Sequence, residues 1–357
     1  MISKILLSNF RNYQNQVIDI NSKINVLVGE NGQGKTNLLE SIYFLAFLRS
    51  FRTSNIQYLK KIGSKGFYIA AQIAANGWEK FIEAEFLYKK NLRIDNIQVS
   101  KSSNFVGQIR PIVFTHEDIK LVSGSSRVRR KYIDILLSSL DRNYLIILQN
   151  YIRALKSRNI LLRKKNKDIS HISAYEPILA KFAVQILHYR YSIIDKLSLK
   201  SDLIIKEIKG NANDFNIKYI SKIKNELISE EYISELLKSE RDKDILRGYT
   251  GVGPHLDDFD FFLNNKNLKH FGSIGQARLA SLSLKMGEIE LITDNNPEYN
   301  VIALVDDVSG ELDEKTKDEF YKTISKVNQL FFTFTRYDEE SYFKNATKFS
   351  VFEGKLT

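Results

Sequence analysis

The sequence predicts an α/β protein: a discontinuous, sheet-rich head formed by 1–117 and 244–357, interrupted by a mainly helical arm at 118–243. Three observations lead there. The apolar pattern runs at period two as far as about Asp118, becomes helical after Gly124, and returns to strands near Asp244. A glycine-rich turn ending in lysine and threonine lies between an early strand and the first helix. An apolar strand ending in two aspartates lies far downstream, beyond the helical stretch. At 357 residues the chain exceeds the size at which one hydrophobic core keeps growing, and an inserted domain accommodates that better than a single core.

Taken in order, KILLSNF, QVIDI and KINVLVG read as strands and a helix starts near Lys35. The strands FYIAAQIA, KFIEAEFLY, LRIDNIQV and RPIVFT follow, with Asn76-Gly77 as a hairpin turn. Ile133, Leu137, Leu140, Tyr144, Ile147, Tyr151 and Leu155 then recur at spacings of three and four, with Arg142, Arg153, Lys156 and Arg163 on the opposite face. This predicts one long amphipathic helix with a basic outer side. Helix continues to about Lys209, with KKNKDISHIS as a turn and Pro177 suited to a first helical turn. FNIKYI reads as a strand, ISEEYISELLKSERDK as a helix, and DILRGYTGVG and DFDFFLN as strands. A helix from Gln276 and the strands VIALV and QLFFTFT complete the chain.

With no cysteine, disulfides, thiolate zinc sites, iron–sulfur clusters and cysteine nucleophiles are excluded together. The five histidines show no metal-ligand spacing. No apolar run is long enough to span a bilayer, and the N-terminus has no small-residue cleavage site, so we expect a mature, cytoplasmic chain. Net charge is +11, and 13 basic against two acidic residues between Lys120 and Lys167 account for all of the excess. So concentrated a patch suits a polyanion, either nucleic acid or an anionic membrane surface, and otherwise is a solvated helical face. Arg127, Arg129, Arg130, Lys131, Arg153 and Lys156 are the candidate DNA contacts.

Residues 29–36 read GENGQGKT, which matches G-x-x-x-x-G-K-[ST] in its proper context of preceding strand and following helix. Gly29, Gly32 and Gly34 let the backbone N–H groups of Glu30, Asn31 and Gln33 and the helix N-terminus at Asn37 face phosphate oxygens. Lys35 reaches the β- and γ-phosphates of ATP, and the Thr36 hydroxyl sits on Mg²⁺. VIALVDD supplies the second strand: Asp306 to hold Mg²⁺ through water and Asp307 to polarise the attacking water. An aspartate reaches less far than a glutamate at that position, so slow hydrolysis is expected.

FGSIGQARLASLSLKMGE (271–288) resembles the signature segment of ABC-type ATPases, and VDDVSGELD (305–313) resembles their metal strand running into the D-loop. In this order they are similar to the SMC-like ATPases. LLSNFRNYQN, LRSFRTSN, FTHEDIKLVSGSSRVRRKYID and TGVGPHLDD narrow the resemblance to the RecF family of bacterial DNA replication and repair proteins, over essentially the whole chain. The resemblance implies a P-loop NTPase head of the ABC-type/SMC-like class with an inserted arm. It implies an ATP-sandwiched homodimer, in which Ser273, Gly275 and Gln276 of one subunit contact the nucleotide on the other, Asp313 lies at the interface, and Arg11 contacts phosphate or adenine. It further implies clamping of duplex DNA near single-stranded gaps, RecR and RecO as partners, and help in loading RecA. The chain departs from the pattern at Leu256, where many members carry a basic residue. It has no switch histidine after QLFFTFT, where Thr333 or Thr335 stands, and no glutamine near His116 and Glu117. About 125 residues separate the halves of the head, enough for a short arm and not for a long coiled coil. An ATP-bound scaffold for protein partners and the energy-coupling subunit of a membrane transporter are the competing functions.

Overall fold

The computed structural model describes every residue except 76, 296–298, 309–311 and 338–340. The chain divides into two compact units, Met1–Asp118 with Lys285–Thr357, and Ile119–Leu284. The first unit begins with strands β1 (Ile2–Phe10), β2 (Tyr13–Asp19) and β3 (Ile24–Val28), helix α1 (Lys35–Phe47), and strands β4 (Phe67–Ala75), β5 (Trp78–Phe86), β6 (Lys90–Ile94) and β7 (Ile97–Gln98). A short helix α2 (Ser102–Phe105) and strand β8 (Arg110–Phe114) close this part. The second unit contains α3 (Lys120–Ser123), α4 (Ser126–Leu140), α5 (Arg142–Arg163), α6 (Ile169–Ser173), α7 (Tyr175–Lys209), β9 (Phe215–Ile220), α8 (Glu230–Ser239), α9 (Arg241–Arg247), β10 (Asp258–Leu263), β11 (Lys266–Asn267) and α10 (Leu268–Phe271). Helix α11 (Ile274–Asn295) leads back to the first unit, which ends with β12 (Val301–Asp306), α12 (Glu314–Ile324), β13 (Gln329–Phe334), β14 (Thr347–Phe352) and β15 (Lys355–Leu356).

Two sheets make the first unit. One is antiparallel, in the order β2-β1-β4-β5-β6-β7. In the other, β14, β3, β13, β12 and β8 lie parallel in that order, and β15 pairs antiparallel to β14 at the edge. Helix α1 packs against β4 and β5 of the first sheet and β8, β12 and β13 of the second, which is why nearly all its residues are buried. Strands covered on both faces need continuous apolar runs, as VIALV in β12 and LFF in β13 provide. Registers of Val28 with Phe334 and of Asp306 with Thr333 align the carboxyl ends of β3, β13 and β12. In open α/β sheets, ligands gather at that edge.

The second unit pairs β9 with β10 and β11 in a small antiparallel sheet beside its helices. It is longer than the insertion read from sequence by the segment 244–284, because β10 finds its partner in β9 and Asp258 binds Arg129 of α4. Two expectations are corrected here. The single long helix is two helices, since the extended Asp141 ends α4 and accepts a hydrogen bond from the Asn143 N–H to cap α5. The run DILR is helical, not a strand: it lies in α9, which stops at Gly248 with φ +76, a conformation glycine adopts without penalty. Short apolar runs do not separate strand from helix by periodicity, and here the buried Asp244, which binds Arg158, selects the helix. The segment read as a turn holds the short α6, capped by Asp168. Of the expected Asn76-Gly77 turn, Asn76 lies outside the described residues and Gly77 has φ +81.

Candidate nucleotide-binding site

The loop after β3 curls around its own lysine. The Lys35 ammonium donates to the carbonyls of Gly29 (2.6 Å) and Glu30 (2.9 Å), so the cation sits inside the turn that would receive phosphate. Burial lowers its pKa, a shift that the charges of Asp307 and Asp306 oppose. Gly34, with φ +122, directly precedes α1, and a Cβ there would stand 2.7 Å from the Asn12 amide. A Cβ on Gly29 would meet the Val351 carbonyl at 2.3 Å. Both glycines are therefore fixed by their neighbours as well as by the turn.

Asp306, at the end of β12, accepts from the Thr36 hydroxyl at 2.8 and 3.0 Å and from the Thr333 hydroxyl at 2.9 Å. The next residue, Asp307, is exposed and has φ +56, a left-handed conformation that costs a non-glycine residue about 1–3 kcal/mol. Thr335 connects the two halves of the site: its hydroxyl donates to Asn31 Oδ1 at 3.1 Å and lies 3.5 Å from Asp307 Oδ2. Thr333 near the end of the intervening strand β13 and Thr335 just beyond it both serve the site, where the sequence suggested one or the other.

A brace on this loop was not read from the sequence. The Asn12 side chain donates to the Gln33 carbonyl (2.7 Å) and accepts from the Asn37 amide (2.8 Å), and the Tyr13 hydroxyl donates to the Gly34 carbonyl (3.0 Å). The Gln33 carbonyl also accepts from the Gly354 N–H (2.9 Å), and Gln33 Oε1 from the Glu353 N–H (2.7 Å). Two distant turns, between β1 and β2 and between β14 and β15, hold the loop from outside. Arg11, in the first of them, clasps the buried Glu40 of α1 with two hydrogen bonds of 2.8 Å and donates a third to the Tyr58 carbonyl. Its guanidinium is committed to protein partners in this state.

In the second unit, Ser273 and Gln276 form a capping box on α11: the Gln276 N–H donates to Ser273 Oγ (3.2 Å) and the Ser273 N–H to Gln276 Oε1 (2.9 Å). Ser273, Gly275 and Gln276 are all exposed, flanked by Phe271 at 75% and Ile274 at 72% exposure. Asp313, in the first unit, caps α12 through Thr316; Ser309, Gly310 and Glu311 of the D-loop segment lie outside the described residues.

The basic candidates divide. Arg127, Lys131, Arg153 and Lys156 are exposed, and Arg130 is half-buried with one donor on the Asp257 carbonyl (2.6 Å). Arg129 is corrected: it is fully buried, holds Asp258 at 2.6 and 2.9 Å, and donates to the carbonyls of Leu121, Val122 and Gly124. No donor of this kind is left for DNA, because the side chain ties α4 to β10 and the preceding turn. Arg158 and Arg190 are buried similarly, on Asp244 and Glu176 and on Asp134. Part of the basic excess is therefore internal.

A phosphate loop joining a parallel strand to a helix, with an aspartate of a second strand reaching its threonine, defines a P-loop nucleotide-binding head of the ABC and SMC-like class. Residues 1–353 match the RecF/RecN/SMC N terminal domain family. The chain is 36% identical over 364 residues to the DNA replication and repair protein RecF of Clostridium tetani, covering 99% of this chain and 98% of that one. It is 37% identical over 314 residues to RecF of Clostridium novyi, covering 87% of each. In structure it is similar to the ATP complex of a recombination mediator protein RecF of the RecFOR pathway, with a TM-score of 0.90, 27% identity, and coverage of 100% of this chain and 96% of that one. An Smc head bound to the C-winged helix domain of ScpA, at TM-score 0.57 and 14% identity, shares the fold alone. The chain belongs to the RecF family of DNA replication and repair proteins. Among the described residues, no helix is long and apolar enough to cross a membrane.

Proposed function

We propose that this chain is a cytoplasmic, ATP-gated DNA-binding protein of recombinational repair and replication restart. The observation that carries the reading is the contact of Thr36 with Asp306 beside the loop-enclosed Lys35. A hydroxyl and a carboxylate converging next to a lysine match the oxygen donors of Mg²⁺–ATP, since Mg²⁺ is usually held by one or two protein oxygens with phosphate and water completing the set. Thr36 and Asp306 would hold the ion, which when bound neutralises phosphate charge. Lys35 would exchange the Gly29 and Glu30 carbonyls for the β- and γ-phosphates. Asp307, exposed and tethered to Thr335, would orient a water whose oxygen attacks the γ-phosphorus as the bond to the ADP oxygen breaks. Its short side chain keeps turnover slow.

Gly275 supports the closing of two copies around ATP. Among the described residues outside its own helix backbone, a Cβ there would meet only Ser273 Oγ, at 3.9 Å, so no close neighbour there requires glycine at that position. Glycine in a helix costs about 0.5–1 kcal/mol relative to alanine. The bare, exposed helix start with Phe271 and Ile274 beside it suits the close approach of a second subunit's nucleotide. The resemblance adds RecR, RecO and RecA loading. DNA binding would use Lys and Arg contacts to the backbone, among them Arg127, Lys131, Arg153 and Lys156. The test is fluorescence anisotropy of a gapped duplex across a salt series, with and without ATP and Mg²⁺, together with the Asp307→Asn variant. Binding that requires ATP and persists longer in Asp307→Asn is expected. Binding independent of nucleotide, or turnover unaltered by Asp307→Asn, would refute the switch.

A further inference from the structure

The basic excess of the arm masks a second one in the head. Between Glu40 and Glu79 the chain contains no acidic residue and five basic ones: Arg49, Arg52, Lys60, Lys61 and Lys65. All five lie in the connection from α1 to β4. The nearest acid, Glu40, is fully buried and held by Arg11, with Arg52 at 3.7 Å, so it contributes no negative surface. The connection is also tied down by hydrogen bonds. The Arg11 N–H donates to the Leu59 carbonyl and the Lys61 N–H to the Asn9 carbonyl, both at 2.7 Å, and Ser50 Oγ accepts from the N–H groups of Arg52 and Thr53. Tyr58 and Ile62 project from it, 65% and 100% exposed.

The five cations have different duties. Arg52 donates to Asn37 Oδ1 (2.8 Å) and the Lys61 ammonium to the Asn12 carbonyl (3.0 Å), so these two serve the brace on the phosphate loop. Arg49 and Lys65 are exposed and Lys60 is half-buried; none of the three has a carboxylate partner among the described residues. Three cations without a carboxylate partner among the described residues, on a segment that carries no acid of its own, leave no ion pair to be broken when phosphate arrives.

We propose that residues 49–65 are a second DNA surface, on the head, that takes the phosphodiester backbone through Arg49, Lys60 and Lys65. This rests on the DNA-binding reading above. Backbone contacts of this kind are independent of base sequence and strongly dependent on salt. The full-length Arg49→Gln/Lys65→Gln variant, compared with the unsubstituted chain on a fluorescent duplex with ATP and Mg²⁺, tests it. Loss of two phosphate contacts should lower the slope of log affinity against log salt by about 1.8 and weaken binding about 30-fold at 0.15 M salt. Affinity for a fluorescent ATP analogue should be unchanged, and the charge-keeping Arg49→Lys/Lys65→Arg variant should restore the slope. An unchanged slope and affinity in the glutamine variant would overturn the proposal, as would equal loss in the charge-keeping variant. A different result, no salt-sensitive binding by the unsubstituted chain in any nucleotide state, would remove the DNA reading itself.

Discussion

Replacing Asn12 by alanine tests whether the phosphate loop is held from outside. The substitution deletes the hydrogen bond to the Gln33 carbonyl and the one from the Asn37 amide. Each is worth about 0.5–1.5 kcal/mol net. The Gln33 carbonyl keeps its bond from the Gly354 N–H, and Asn37 Oδ1 keeps Arg52, so no buried acceptor is orphaned and the loss stays near the lower end, about 1–2 kcal/mol. If that energy orders the loop for phosphate, ATP affinity falls by about 5–30-fold. Isothermal titration of the variant with Mg²⁺–ATP measures it, and a thermal melt without nucleotide provides the control. Affinity equal to that of the unsubstituted chain, with a lowered melting temperature, would refute the reasoning: Asn12 would then support the fold and not the site.

Three further outcomes are expected. Lys35→Met should abolish ATP binding and any ATP-dependent mass shift in light scattering while the circular dichroism spectrum is retained, because it removes the cation held inside the turn and alters little of the core. Arg129→Met should destabilise the second unit by about 3–5 kcal/mol in urea unfolding, since it strands Asp258 and three carbonyls; a loss below 1 kcal/mol would contradict the buried assignment. His255, between the Tyr151 hydroxyl and the Thr250 carbonyl, has its pKa lowered from 6.5 to about 4, chiefly by burial. The carbonyl can only accept, so Nε2 carries the proton and Nδ1 accepts from Tyr151. A histidine held neutral stabilises the fold fully above pH 6.5, and that contribution, up to about 3 kcal/mol, is lost as pH falls from about 6.5 towards 4. His255→Asn should flatten the dependence of stability on pH across that window; an identical dependence in both proteins would show that His255 is not held neutral.

The phosphate loop was legible in the sequence because its chemistry is local. Six consecutive residues, 29–34, and one lysine make the turn, and glycine, lysine and threonine at fixed offsets leave few other meanings. The two aspartates were legible for a similar reason, as the polar end of a run too apolar to be anything but a buried strand. Helix breaks were less so. The period-3.6 pattern passes through Asp141 unbroken, and an aspartate there suits an exposed helical position as well as the cap that it forms, since capping depends on an extended backbone and a side-chain acceptor and not on hydrophobic spacing.

What the sequence by itself determined is the class of the head, the glycine-rich loop between β3 and α1 and the presence of an inserted basic segment. Only the tertiary structure decided which charges belong to a surface. Arg127, Arg129 and Arg130 are nearly adjacent in sequence, yet they are exposed, fully buried and half-buried, because each position around α4 meets a different neighbour. It also decided that Asn12 and Gly354 support Gln33 and that Thr333 and Thr335 serve the two aspartates. These partners lie on or beside the ends of separate strands, and their meeting depends on sheet order and register. Residue spacing along one strand carries no record of the strand that will lie beside it.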